Sequence, residues 1–410
     1  MFLSRRLAPV VLIAAGAVAL AACSSGGSTT PSSSAPAPAS SSAEASSPAA
    51  SSPAAPAVSQ HAIDQVAKFS AAPTSFVAPG PEVNTAGLKG KKMFVIPSIP
   101  NPFVQNITDN IKAAGETQGL TTTVFDNQGQ VSQWVQGIQQ AIGSKQDIIL
   151  LNGCPDPRAL GPQIAEAKAA GIPTICVHFY DNSLPDPPAC EGCADLAANV
   201  TAPFYDAGKA AADWIIADSQ GKANTLIVGG SDILPSPGTI ETMEGEFKAN
   251  CPDCKSTVIN IPVADWNTKT QGEIQSALQK DPTINYVYVL YDALVAGALP
   301  AVETLGRTDV KIGSYNGSAF ALDDIAKGTA VAMNVGEDTP CIGYTSADQA
   351  FRVLTGAAPV KTSTPIRIWD KTNVAETGAP AAQPGVGYGT ACVDGFTALW
   401  KSGPLVSDRS

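Results

Sequence analysis

The chain has 410 residues, 15% of them charged, with acids outnumbering bases 36 to 25 and a formal net charge of −11. Without a run of Lys and Arg it lacks the electrostatic footprint that a phosphate backbone demands, so nucleic acid is not an expected partner. A 44% hydrophobic content over this length is enough for two or three folded domains. No stretch beyond the N-terminus holds ~20 unbroken apolar residues, so no helix is expected to span a membrane there.

Arg5 and Arg6 precede an apolar run from Val10 to Leu20, and small residues then lead into Leu20-Ala21-Ala22-Cys23. A charged start, a short apolar core and a small-residue exit make residues 1–22 an export signal. The segment resembles a bacterial lipoprotein signal, which implies cleavage before Cys23, lipid on its thiol and a mooring on the outer face of the cell membrane. A plain secretory signal cut after Ala22 is the alternative. Residues 24–58 contain only Ser, Thr, Gly, Pro and Ala apart from Glu44 and Val58, so 23–58 reads as a solvated tether, open to glycosylation. Residues 59–88 form a lead-in with one short helix around Ile63 to Phe69.

From Lys92 onward, β-branched runs alternate with amphipathic stretches. Met93 to Pro97 reads as a strand, Pro102 to Gln118 as a helix opened by Asn101 and a first-turn proline, and Thr121 to Phe125 as a strand. Val131, Trp134, Val135, Ile138 and Ile142 share one helical face. Asp147 to Leu151 and Pro173 to Val177 are strands flanking a helix from Pro157 to Ala169. The unit then recurs: helices Tyr205–Ala217, Gly238–Ala249, Thr270–Leu278 and Ala293–Leu305 alternate with strands Asn224–Val228, Ser256–Ile261, Tyr286–Leu290 and Asp309–Gly313. Uninterrupted apolar strands between helices predict an α/β fold of two lobes with parallel sheets covered on both faces. In such sheets ligands bind beyond the carboxyl ends of the strands.

Val95-Ile-Pro-Ser-Ile-Pro-Asn-Pro-Phe103 is similar to the first strand–loop–helix of type I periplasmic binding proteins of the ribose- and galactose-binding kind, which serve ABC importers. Asp147-Ile-Ile-Leu-Leu-Asn152 with Ala170-Gly-Ile-Pro-Thr-Ile175, and Ala207-Gly-Lys-Ala-Ala-Ala-Asp-Trp-Ile215, match later pieces of the pattern. Tyr291-Asp292 with Gly297-Ala298, and Ser314-Tyr-Asn-Gly317, match two cleft loops. The likeness covers about Lys89 to Asp370. It implies two Rossmann-like lobes, 89–198 plus 338–362 and 199–337 plus 363–375, joined by three hinge segments near 196–203, 336–341 and 361–370. Residues 376–410 remain as a tail.

The resemblance also implies a ligand site. Asn101 and Phe103 agree with the family pattern, Trp266 falls on an aromatic position and Asn316 on an Asp or Asn position. Phe103 and Trp266 are expected to sandwich a ring face, and Asp292 and Asn316 to fix hydroxyl groups. His178-Phe179 stands where the family has Asp-Arg, Glu241 aligns with an arginine, Tyr291 with an asparagine and Glu337 with a glutamine. With acids at 241, 292 and 337 and no aligned arginine, a carboxylate or phosphate is disfavoured and a neutral sugar, polyol or cation is favoured. Each residue also has a plainer reading: Phe103 as helix packing, Trp266 as a lobe cap, His178 as a hydrogen-bonded strand end, Asp292 as a helix cap, and Glu241 and Glu337 as solvent-facing acids.

Apart from Cys23, eight cysteines remain: Cys154, Cys176, Cys190, Cys193, Cys251, Cys254, Cys341 and Cys392. In an exported chain an even set points to disulfides. The two CxxC pairs are too far apart for a four-cysteine zinc site, so local bridges 190–193 and 251–254 are expected, and no metal or other cofactor. Cys341 and Cys392 are candidates to tie the tail to the body, while Cys154 and Cys176 read equally as bonded or as free thiols. No Walker loop, G-x-S-x-G or H-E-x-x-H appears, and Gly385-Val-Gly-Tyr-Gly389 follows no strand, so an enzyme is not expected. The expected role is a monomeric, lipid-anchored solute-binding protein that hands a small polar ligand to an ABC permease. A sensory module for a membrane partner is the alternative.

Overall fold

The structure is a computed structural model that describes residues 58–153, 155–185 and 192–402. The expected export signal, the lipidation site Cys23, most of the tether, Cys154, Cys190 and the last eight residues lie outside the described residues.

The described residues open with helix α1 (Gln60–Ser70) and a two-residue strand β1 (Val83–Asn84). The first lobe follows as β2 (Lys92–Pro97), α2 (Pro102–Thr117), β3 (Thr121–Val124), α3 (Val131–Gly143), β4 (Ile148–Asn152), α4 (Pro157–Ala169), β5 (Thr174–Asp181) and β6 (Ala198–Ala202). Its five strands run parallel in the order β3-β2-β4-β5-β6. Alternate side chains of each strand enter opposite cores. Met93, Val95, Ile148 and Leu150 pack with α2, whereas Phe94, Ile96, Ile149 and Leu151 pack with α3 and α4.

The second lobe comprises α5 (Phe204–Asp218), β7 (Asn224–Gly229), α6 (Ser236–Asn250), β8 (Lys255–Asn260), α7 (Trp266–Lys280), β9 (Tyr286–Val289), α8 (Val295–Thr304), β10 (Lys311–Asn316), α9 (Ala319–Lys327) and β11 (Val331–Glu337). The chain then returns to the first lobe, where α10 (Thr339–Thr355) lies along α2, and re-enters the second as β12 (Ile366–Asp370). The second sheet has the order β12-β11-β10-β9-β7-β8. Its edge strand β12 runs antiparallel to β11, which departs from the all-parallel expectation. An antiparallel neighbour arises because the chain comes back to this sheet from α10 on the other lobe, not through a crossover helix of its own.

The described segments before β2 and after β12 also run between the lobes. Helix α1 packs on α5 and β12, and its Ser70 carbonyl accepts from Arg367 Nε at 2.9 Å. A few residues on, Phe76 meets Phe396 edge-on and the Pro81 carbonyl accepts from Arg352 of α10. The tail starts on the second lobe, where Ala382 N donates to Asp323 at 2.7 Å and Trp369 Nε1 donates to the Tyr388 hydroxyl at 3.0 Å. Gly387 adopts a left-handed φ of 95° against the Trp369 ring, where any Cβ would clash. The glycine-rich run of 385–389 is therefore a wrap over the hinge. The tail ends on the first lobe through the Cys341–Cys392 disulfide, helix α11 (Ala391–Leu399) and strand β13 (Trp400–Lys401), which pairs with β1. Trp400 fills the first-lobe core and donates to the buried Asp348, which also binds Arg352 at 2.7 Å. Among the described residues, five segments thus join the lobes where three were expected.

Cys251 and Cys254 are bonded at the end of α6. Cys176 and Cys193 are each disulfide-bonded as well. The tail bridge encloses 51 residues of sequence separation. Replacing Cys341 and Cys392 together by serine should lower unfolding free energy by about 2–4 kcal/mol in urea titration. An unchanged midpoint would contradict a tail that braces the body.

Candidate functional site

The ligand residues picked from sequence lie in the carboxyl half of a strand, just beyond its end, or on the helix that follows. The lobes meet there over a row of rings. Phe103, in the first turn of α2, contacts His178 edge-on at 5.0 Å. His178 contacts Phe204 at 4.9 Å, and Phe204 contacts Tyr315 at 5.9 Å, both edge-on. His178 belongs to the first sheet and Tyr315 to the second, so the row crosses the boundary.

Glu337, the last residue of β11, sits under this row with 1% of its surface exposed. Its Oε2 pairs with His178 Nε2 at 2.5 Å, and its Oε1 accepts a short hydrogen bond from the Tyr315 hydroxyl. Burial first, and then the Glu337 charge, push the Tyr315 hydroxyl well above the ordinary tyrosine range. It is therefore a committed donor. A buried carboxylate needs such partners, because an unpaired one costs several kcal/mol.

His178 reaches Glu337 because β5 is irregular. Its φ is 59°, and the pairing with β6 slips between Val177 and Asp181. Ile175 and Val177 face the α2 core and Cys176 the α4 core, so Phe179 is due on the α2 side. The left-handed residue reverses the alternation. His178 then faces Phe103 and Phe204, while Phe179 packs into the α3/α4 core. The expectation of Phe179 as a cleft residue is corrected by this bulge.

On the second lobe, Trp266 and Tyr291 stack at 5.6 Å and 26°. Trp266 Nε1 donates to the Ile261 carbonyl at 2.9 Å, and the Tyr291 hydroxyl shares a 2.9 Å hydrogen bond with Ser236. Both polar atoms are engaged, so the half-buried pair offers aromatic surface on a fixed mount. Asn316 ends β10 with φ 127°, and among the described residues its amide makes no side-chain hydrogen bond. Gly317, next along, approaches Gly336 so closely that a Cβ would lie 2.9 Å from its Cα.

Asp292 is buried and braces this rim. One oxygen accepts from Ser318 N at 2.6 Å and the other from Asn334 at 2.7 Å. It therefore holds the 316–318 turn and does not cap its own helix. Asn101 is half-buried and caps α2 by accepting from Val104 N at 2.8 Å. Glu241 is exposed on α6, near Tyr205.

Three features escaped the sequence reading. Arg158 opens α4 at the end of β4, close to Tyr180, but its guanidinium is taken by Asp156 at 2.6 and 2.9 Å. Leu234, in the loop after β7, packs against the first lobe's α3/α4 core. Asp181 accepts from Tyr205 N at 2.8 Å and so pins the start of α5 to the end of β5. The Asp-x-Arg run at 156–158 was a visible signal; the other two depend on the lobes being brought together. The row of rings leaves a void of only about 10 Å³ beside Phe204, Tyr291 and Tyr315, room for roughly one water.

Asp292 gives a pH test. Burial raises its carboxyl to about 6, against the opposing bonds from Ser318, Ser314 and Asn334. A carboxyl raised above its unfolded value contributes stability that is present below about pH 4 and lost as pH climbs through about 6. Carboxyl ¹³C titration by NMR should place its midpoint near 6; a midpoint at or below 4 would contradict this environment.

Residues 92–358 match the family model for the periplasmic binding protein domain. The ribose import binding protein of Bacillus subtilis is 26% identical over 285 residues, 68% of this chain and 88% of its own length. An ABC transporter solute-binding protein from Agrobacterium vitis, solved with bound allitol, superposes with a TM-score of 0.60 at 19% identity, covering 71% of this chain and 98% of that one. A solute-binding protein from Mycobacterium smegmatis, solved with glycerol, gives 0.61 at 21% identity over 72% and 99%.

Proposed function

Because the chain belongs to the periplasmic binding protein family, we propose that it is an extracytoplasmic solute-binding protein which captures a neutral sugar or polyol by hinge closure and delivers it to an ABC permease. The observation that carries the reading is the pairing of the Trp266–Tyr291 platform with a rim whose basic group, Arg158, is already engaged by Asp156. Arg158 is spent on Asp156, so an anionic solute would meet Glu241 without compensation. The relatives point the same way, being named for ribose or solved with allitol and glycerol.

In this proposal Trp266 and Tyr291 present the apolar face. Asn316 and Asn101, from opposite lobes, bind hydroxyl groups, and Glu241 stands at the edge. Phe103, His178, Asp292 and Glu337 act as the frame. A cationic solute loses its main support, because Glu337 and Asp292 are both satisfied by protein donors. Catalysis has no place in the proposal: His178 is paired with Glu337 and covered by Phe103 and Phe204. Lipid on Cys23 would keep the protein beside its permease, and residues 24–58 supply the reach.

A thermal-shift screen over pentoses, linear polyols, cyclitols, amines and sugar acids tests the proposal. A neutral polyhydroxylated compound at about 100 times its Kd should add about 2.7 kcal/mol of stability, and Trp266→Ala should weaken that ligand more than tenfold. A strong shift with a sugar acid, or an unaltered affinity in the variant, would overturn it.

A further inference from the structure

A second polar cluster lies on the helical face of the second lobe, among α1, α5 and α6. His61 stands in the first turn of α1, Asp213 in the middle of α5 and Glu246 in the last turns of α6. His61 Nε2 is 3.2 Å from Glu246 Oε1 and 3.9 Å from Asp213 Oδ1. All three ligand atoms lie within 4.8 Å of one another. Asp213 is 1% exposed and its Oδ1 has no hydrogen-bond partner. A buried, unpartnered carboxylate oxygen aimed at a second carboxylate is costly unless something positive joins them. Burial first and then Glu246 push Asp213 up to about 7, while His61 and Lys209 pull the other way.

We propose that His61, Asp213 and Glu246 bind a divalent transition-metal ion, zinc being the best match, which clamps α1 to the second lobe. Ligands around a tetrahedral zinc with bonds of about 2.0–2.2 Å stand roughly 3.3 Å apart. The separations of 3.2 and 3.9 Å from His61, with the two acids within 4.8 Å of each other, approach that value, so side-chain shifts close the site. An imidazole with two carboxylates favours zinc, nickel or copper over calcium or magnesium, which take oxygen alone. The ion neutralises both acids, and the exposed edge of His61 is its entry path and leaves a position for water. Asn250 donates to Glu246 Oε1, and Ser59 bonds Asn250 at 3.4 Å, an outer shell that fixes the glutamate.

Of its ligands His61 comes from the lead-in segment ahead of the matched domain and the other two from α5 and α6 within it, and the assignment stands independently of the solute reading. Calorimetry with zinc chloride on the tag-free exported chain should show one site per chain, together with a rise in melting temperature. His61→Ala and Asp213→Asn should each weaken zinc binding at least tenfold and abolish the rise, with Trp266→Ala leaving both unchanged. Asp213→Asn removes the buried acid and should melt no lower than the parent without metal, which separates metal loss from misfolding. No zinc response in the parent, a response that survives His61→Ala, or an equal response to magnesium would overturn the assignment.

Discussion

Glu337 is a buried acid at the boundary between two lobes, and its two oxygens are answered from opposite sides. His178 reaches it from the first sheet and Tyr315 from the second. Charge cannot be left unpaired in such a place, so both sheets are held in register with the end of β11. That strand end is also a hinge crossing, because α10 begins two residues later in the other lobe. The floor of the cleft and the pivot are therefore one piece of chemistry. The ring row covers it, and less water there means weaker screening of its charge. Beyond the floor, Trp266, Tyr291 and Asn316 stand on mounts fixed by Ile261, Ser236 and Asp292, and it is these that the proposed function gives to the solute.

The second constraint is the number of segments that join the lobes. The lead-in binds the second lobe through α1 and the first through Phe76, Pro81 and β1. The tail does the reverse, with Tyr388 on the second lobe and Trp400 on the first. Lead-in and tail pair with each other as β1 and β13. Opening of such a body is limited to motions that these straps allow, which favours small rotations about the crossings over wide separation. The proposed metal site would tighten one of these straps at its outer end.

Much of this was legible in the sequence. Strands β2, β4 and β9 are short apolar runs bounded by turn residues, and their register follows from burial on both faces. The positions of Trp266, Tyr291 and Asn316 at strand ends or on the helix that follows were legible because strand-end loops keep their place in chain order. The bulge at His178 was not, since a left-handed residue other than glycine leaves no mark in hydrophobic periodicity. It alone decided that Phe179 would enter the core. Nor does a sequence tell whether an acid at a strand end meets a ligand or a protein donor. Glu337 and Asp292 found partners 159 and 42 residues away. The tail, with its glycines and its short helix, carried too weak a pattern to reveal that Gly387 and Trp400 complete both lobes.

The central claim is that Glu337 and His178 act as one unit that locks the lobes together. A double-mutant cycle with His178→Ala and Glu337→Gln, read by chemical denaturation, measures that coupling directly. The account predicts an interaction energy of about 1.5–3 kcal/mol between the two changes. Additive effects, with a coupling within about 0.3–0.5 kcal/mol of zero, would contradict it.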